Sequence, residues 1–279
     1  MANYTAADIK TLRERTGAGM LDVKKALDEA DGDLDKAQEV IRVKGLKGVS
    51  KREGRSASDG LVAVKIVDDA QGQVGVLVEV NSETDFVAKN DVFVNLAERV
   101  VATALESGAT DAEQALAAEI DGRPLSAAVD DTAATLGEKV VVRRVARLSG
   151  AKVTEYLHRT NKDLPPQVGV LVASDEAGAE VARDVAMHIA AFSPTFLSRD
   201  DVPADKVADE RRIAEETARN EGKPEQALPK IIEGRLNGFF KEVALLDQPF
   251  AKDPKKTVGQ IVSEAGGTIT GFARFRVGS

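Results

Sequence analysis

Gln73-Val74-Gly75-Val76-Leu77-Val78 returns letter for letter as Gln167-Val168-Gly169-Val170-Leu171-Val172, ninety-four residues further along the chain. Each copy is an aliphatic run of strand length, rich in β-branched valine. Each follows a β-like segment (61–67, then 152–157) and precedes a segment with helical periodicity (89–106, then 180–191). Asn90-Asp91-Val92 is echoed by Arg183-Asp184-Val185. Each half closes on an alternating strand, 140–148 in the first and 269–277 in the second. A repeated hexapeptide alone is compatible with chance, but the same element order around both copies favours duplication. Each half is therefore expected to be a small antiparallel sheet covered by helices, an α+β sandwich. In the first half Asp68-Asp69-Ala70-Gln71-Gly72 separates two strands as a hairpin turn.

Upstream, residues 5–45 read as a small three-helix unit. Thr5 followed by Asp8 makes a near capping box, and Ile9 and Leu12 begin an apolar stripe. Thr16-Gly17-Ala18-Gly19 ends the first helix. Leu21, Val23, Ala26 and Leu27 mark a second, stopped by Asp31-Gly32. Asp33 caps a third, in which Leu34, Ala37, Val40 and Ile41 recur at helical steps and Gly45 fits the C′ position. About forty residues is the lower limit for an independent core, so this unit is expected to lean on something.

Residues 46–59 have linker composition: Gly, Ser and charge without sustained periodicity. Across 42–55, Arg42, Lys44, Lys47, Lys51, Arg52 and Arg55 oppose the single acid Glu53. Such a stretch is either a solvated linker or a contact for an acidic protein or RNA. Residues 202–243 interrupt the second half with a polar helical insertion. Val207, Arg211, Ala214 and Ala218, then Leu228, Ile232, Leu236, Phe239 and Val243, recur at three- and four-residue steps around Gly222-Lys223-Pro224. This predicts an antiparallel αα-hairpin that coils on itself and projects as a self-association surface or a solvated arm. The expected division is a three-helix module (1–45), a basic linker (46–59), a first core half (60–150) and a second (151–279).

Composition removes several classes of function. The 279 residues contain no Cys, which excludes disulfide frameworks, zinc fingers and thiolate nucleophiles. With only two His, a transition-metal site would need carboxylates for most of its ligands. Lys and Arg number 38 against 46 Asp and Glu, a net charge of −8 that counts against general nucleic-acid binding. The longest aliphatic run, Val74 to Val78, is far short of a membrane span. Met1-Ala2-Asn3-Tyr4-Thr5 has neither a basic n-region nor an apolar h-region, so a cytoplasmic, non-membrane protein is expected.

No phosphate-loop or dinucleotide fingerprint is present, and Asp68-Asp69 and Asp130-Asp131 read as turn or loop residues. His188, between Met187 and Ile189, reads as a packed histidine. His158, at a strand end beside an insertion, is open to a contact role. The stretch that stands out is Asn81-Ser82-Glu83-Thr84-Asp85-Phe86-Val87-Ala88-Lys89-Asn90, which places Asp85 and Phe86 at a strand-to-helix corner. Two readings are open there. Either Thr84 or Asp85 caps the helix while Phe86 packs inward as a staple, or the ring is exposed and anchors a partner.

These residues resemble a known family. Leu12-Arg13-Glu14-Arg15-Thr16-Gly17-Ala18-Gly19-Met20, Asp22-x-Lys24-Lys25-Ala26-Leu27 and Glu79-Val80-Asn81-x-x-Thr84-Asp85-Phe86-Val87-Ala88-Lys89 are similar to motifs of bacterial translation elongation factor Ts. Met187-His188-Ile189-Ala190-Ala191, Glu233-Gly234-Arg235, Gln248-Pro249-Phe250 and Lys256-Thr257-Val258-Gly259-Gln260 extend the match in the family's order. Two departures are visible: the chain ends at Ser279 without the C-terminal helical module of some members, and 159–166 lengthen the loop after His158.

The resemblance implies a ubiquitin-associated-like N-terminal module, a core of two related subdomains and an inserted coiled-coil hairpin. It also implies a guanine-nucleotide exchange factor for elongation factor Tu, with no active site, cofactor or metal of its own. By resemblance, Thr84, Asp85, Phe86 and Val87 dislodge the partner's magnesium ion, while Arg13, Met20, Leu21 and His158 bind the partner. Pairing of two complexes through the 202–243 hairpin is a further expectation. The alternative is a ubiquitin-associated-like adaptor that binds protein without speeding nucleotide release.

Overall fold

The computed structural model describes residues 3–16 and 18–279, and the backbone alone at 46–48, 50 and 51. Gly17 and the side chains of Lys47 and Lys51 lie outside the described residues.

The chain opens with α1 (Ala6–Thr16), α2 (Met20–Glu29) and α3 (Leu34–Arg52). Thr5 and Asp8 cap α1 reciprocally: the Thr5 N–H donates to Asp8 Oδ2 at 2.7 Å, and the Asp8 N–H to Thr5 Oγ1 at 3.2 Å. These bonds hold the Asp8 carboxyl below its ordinary range. Asp33 caps α3 by accepting the N–H groups of Asp35 and Lys36, both at 3.0 Å. Leu12, Val23, Ala26, Leu27, Ala37 and Ile41 close a small core between the three helices.

Strands β1 (Asp59–Asp69) and β2 (Gly72–Ser82) pair antiparallel, with Asp69 opposite Gly72 at the turn. A single turn, α4 (Asp85–Ala88), leads into α5 (Asp91–Ser107), then α6 (Ala112–Ala117). A two-residue ladder of β3 (Glu119–Ile120) and β4 (Arg123–Pro124) precedes α7 (Leu125–Leu136). β5 (Val141–Gly150) then takes the other edge of β2. The second half repeats the plan. β6 (Lys152–His158) and β7 (Val168–Ser174) pair antiparallel, and α8 (Ala179–Phe192) covers them. The helical hairpin follows as α9 (Ala204–Asn220) and α10 (Leu228–Val243). β8 (Pro249–Phe250), β9 (Asp253–Thr257) and α11 (Val258–Glu264) lead to β10 (Ile269–Arg276). The sheet orders are β1-β2-β5 and β6-β7-β10, so the repeated hexapeptide supplies the central strand of each.

The glycine and leucine of that hexapeptide explain how the sheets meet. A Cβ on Gly169 would lie 2.6 Å from Leu77 Cδ1, and a Cβ on Gly75 would lie 3.3 Å from Leu171 Cδ1. Each copy's leucine therefore rests in the space left by the other copy's glycine. Val62, Leu77, Val153 and Leu171 form the buried layer between the two sheets. The opposite face of each sheet carries its own core, with Phe93, Leu96 and Val100 of α5 on the first and Val185 and Ile189 of α8 on the second.

Two sequence expectations change. The basic stretch assigned to a linker from residue 46 is helical through Arg52. Gly45 does not stop α3; a Cβ there would lie 2.4 Å from the Ala134 carbonyl oxygen, so the glycine lets α3 press against α7. Among the described side chains, Arg42, Lys44, Arg52 and Arg55 are turned onto the chain's own acids and carbonyls. Arg42 makes a two-pronged pair with Asp131 (2.7 and 3.0 Å), Arg52 donates to the Ala133 carbonyl (3.3 Å), and Lys44 pairs with Glu29. The module leans on α7 through Arg42 and Arg52, while Lys44–Glu29 ties α3 to α2 within it. In the hairpin, Ala214, Ala218, Leu228, Ile232 and Leu236 are buried together, but Arg211 is exposed and Phe240, not Phe239, packs against them. The C-terminal end of the hairpin is tied to the segment ahead of α9, where the N–H groups of Thr195 and Phe196 donate to the Val243 carbonyl at 2.9 Å.

Candidate functional site

Strand β2 ends on buried Asn81 and Ser82, and the chain then turns out of the sheet. Thr84 is the N-cap of α4, its hydroxyl accepting the Val87 N–H at 3.4 Å. Asn90 caps α5 in the same way, accepting the Val92 N–H at 2.9 Å. Two caps six residues apart leave only one helical turn between them. That turn faces Val87 and Ala88 inward, where both pack in the core beneath α5. Phe86 points the other way and is 73% exposed. Of the two readings of the corner, the structure adopts the cap by Thr84 and the exposed ring; Val87 is the inward residue. Asp85 is half-buried in the first turn, and the Lys89 ammonium sits 4.7 Å from the Phe86 ring centroid.

The corner is braced by residues that the sequence did not single out. Glu138, just ahead of β5, accepts both the Thr84 N–H (3.0 Å) and the Thr84 hydroxyl (2.6 Å). Glu83 in turn accepts the Lys139 N–H at 2.7 Å and pairs with Arg55 at 3.2 Å. The Lys139 ammonium donates to the carbonyls of Glu53 and Arg55, at 2.5 and 3.0 Å. No local spacing marks such a set, because its bonded pairs join residues 28 to 86 positions apart.

Arg13, Met20 and Leu21 lie on the three-helix module. Met20 and Leu21 occupy the first turn of α2 and are 50% and 73% exposed, so Leu21 lies outside the core stripe of its helix. Ile9, Arg13, Met20 and Lys24 line a shallow groove of about 550 Å³. His158 is the exposed last residue of β6, with its Nδ1 3.2 Å from the Tyr156 hydroxyl. The predicted residues therefore sit on four elements, α1, α2, α4 and β6, with the cap residue Thr84 just ahead of α4. His188 is packed: its Nδ1 accepts the Ala251 N–H (3.2 Å), which leaves Nε2–H to donate to Gln248 Oε1 (2.8 Å). Burial holds its pKa below 6.5, partly offset by the Gln248 bond.

Chemically the corner offers contact: a large exposed ring and the Asp85 carboxylate on a turn whose only hydroxyl, that of Thr84, is committed to Glu138 and to the capping bond. Among the described residues, no group of three or more His, Asp or Glu could hold a metal ion, and no helix is long and apolar enough to cross a membrane. An aromatic side chain held in solvent on a braced turn has the character of a contact residue, the class of role this corner fits. Comparison with known proteins narrows the class. The family described as Elongation factor TS matches residues 83–279. Proteins named Elongation factor Ts from Beutenbergia cavernae, Micrococcus luteus and Kocuria rhizophila are 72%, 64% and 64% identical, each aligned over the full length of both chains. The chain belongs to the elongation factor Ts family of translation elongation factors.

Proposed function

We propose that the chain is a guanine-nucleotide exchange factor for elongation factor Tu, with no reaction centre of its own. The observation that carries this reading is Phe86, held 73% exposed at the tip of a turn fixed from both sides. GDP in a GTPase is held by a phosphate loop and a magnesium ion that neutralises much of the phosphate charge. A second protein speeds release only by binding the disrupted site better than the closed one. In this reading Phe86 enters an apolar pocket beside the magnesium site, and Asp85 disturbs the contacts that support the ion. Thr84 and Val87 hold the turn from which both project. GDP and magnesium belong to the partner, and the factor brings no cofactor. It meets the GDP-bound partner and leaves it nucleotide-free, ready for GTP.

Arg13, Met20 and Leu21 grip the GTPase domain from outside; their exposure and the groove between α1 and α2 support an anchoring role. His158, on the second sheet, contacts a different domain of the partner. The three helices up to Arg52 act as a ubiquitin-associated-like module, ahead of two related subdomains that meet near residue 150. The α9–α10 hairpin is a coiled-coil arm through which two complexes pair, a role consistent with its exposed charged surface. The setting is cytoplasmic translation. Stopped-flow release of a fluorescent GDP from elongation factor Tu, with and without this protein, tests the proposal. Acceleration that saturates with factor concentration supports it. Binding without acceleration would return the chain to the adaptor class.

A further inference from the structure

We infer that Glu138 is a positioning residue: it sets the Thr84–Val87 turn, and with it the Phe86 ring, in the partner-ready shape before a partner arrives. The inference rests on the reading of Phe86 as the partner-contacting ring. A helix of one turn does not hold itself, because nucleation fixes several residues for a single hydrogen bond. Something outside the turn must do so. Glu138 takes both donors of Thr84, the N–H at 3.0 Å and the hydroxyl at 2.6 Å. With its proton committed to Glu138, the Thr84 hydroxyl can present only a lone pair to the Val87 N–H, which is the capping bond of α4.

The duplicated half provides an internal control. There Asp175 directly follows central strand β7 and accepts the N–H of Thr268, the residue before β10, at 2.9 Å. In the first half Glu83, just after β2, accepts the N–H of Lys139, just before β5, at 2.7 Å. This carboxylate brace is common to both halves and serves the fold. The Glu138–Thr84 arm is different. At the matching place the second half has Gly267, where a Cβ would lie 2.2 Å from the Gly178 backbone nitrogen. That turn is closed by close backbone approach and by Asp175 itself, which also accepts the Gly178 N–H at 2.7 Å, and it presents no ring. The additional carboxylate is found in the half that carries Phe86.

A bond to an ionised acceptor shifts a local equilibrium by roughly tenfold or more. If the competent turn is only fractionally populated without it, apparent affinity falls by that fraction while the bound complex is unchanged. The test uses the full chain carrying Glu138→Ala, Glu138→Gln, Phe86→Ala or Glu138→Ala with Phe86→Ala. In the free protein, amide hydrogen exchange of Thr84 to Lys89 should quicken about tenfold in Glu138→Ala, with Val100 and Val101 of α5 unchanged. In stimulated GDP release the half-saturating factor concentration should rise about tenfold, with the maximal rate within about twofold of wild type. Glu138→Gln, which retains a carbonyl acceptor, should fall between. The double variant should be little worse than Phe86→Ala, since positioning an absent ring gains nothing. Unchanged amide protection, a lost maximal rate at unchanged half-saturation, or fully multiplicative effects would each overturn the role of Glu138 alone. Undiminished release by Phe86→Ala would overturn the reading of the ring and, with it, the functional part of this inference.

Discussion

Phe86→Ala separates a contact residue from a packing residue in one variant. Fully burying a phenylalanine side chain is worth roughly 1.5–3 kcal/mol. The ring is 73% exposed, so about three-quarters of that gain, roughly 1–2 kcal/mol, is available to a partner. At 1.4 kcal/mol per decade, truncation should slow stimulated GDP release about 6- to 40-fold. The loss should show in the ratio of maximal rate to half-saturating concentration, which registers the contact at whatever stage it is made. Folding should hardly notice: an exposed truncation is worth within about 0.5 kcal/mol, less than about 2 °C in melting temperature. Phe93, seven residues on and fully buried in the core under α5, is the comparison. Phe93→Ala should cost about 3–5 kcal/mol and lower the melting temperature by roughly 6–20 °C. Calorimetry and stopped-flow release on both variants decide the matter. A Phe86→Ala protein that melts like Phe93→Ala, or that stimulates GDP release with the wild-type ratio of maximal rate to half-saturation, would refute the reasoning.

Leu21→Ala should raise the concentration of factor needed for half-maximal release severalfold with an unmoved melting temperature, because the residue is 73% exposed on the module; an unchanged half-saturation would remove it from the interface. Replacing residues 204–243 by a short Gly-Ser bridge should leave cooperative thermal unfolding intact, since the hairpin has its own small core; loss of the transition would show that it is integral. Gly169→Ala should cost about 1–3 kcal/mol in denaturant unfolding by forcing Leu77 Cδ1 away, and should be less than additive with Leu77→Ala; additive costs would mean that the sheets do not interlock there. Below about pH 6.5 the unfolded chain protonates His188 while the folded protein, with its pKa depressed by burial, does not. Stability should therefore fall from pH 7.5 to 5.5, and His188→Gln should flatten that slope; equal slopes would refute it.

What was legible in the sequence was whatever repeats locally. Valine runs gave the central strands, Thr5, Asp33 and Thr84 gave helix starts, and the three- and four-residue steps after 202 gave the hairpin. The identical hexapeptides gave equivalent sheets, and the structure adds the reason that Gly75 and Gly169 recur with Leu77 and Leu171. The failures share one cause. Gly45 reads as a helix stop, because glycine's local meaning is termination, yet its tertiary meaning is the close approach of α7. The basic run from 42 reads as solvated because its acid, Asp131, lies 89 residues away. The corner divides along the same line. Its composition marked Thr84, Asp85 and Phe86, but Glu138, Lys139 and Arg55 are joined to it only by folding. The duplication then turns this into a physical argument about function. Both halves need a carboxylate brace to carry the chain from the central strand to the last one, and Asp175 and Glu83 supply it. Both turns are capped, the second by Asp175 on the Gly178 N–H, but the first half adds a second carboxylate, Glu138, and a solvent-facing ring, Phe86. A shared feature answers the common demand of folding, and the asymmetric additions are where contact with a partner is to be sought.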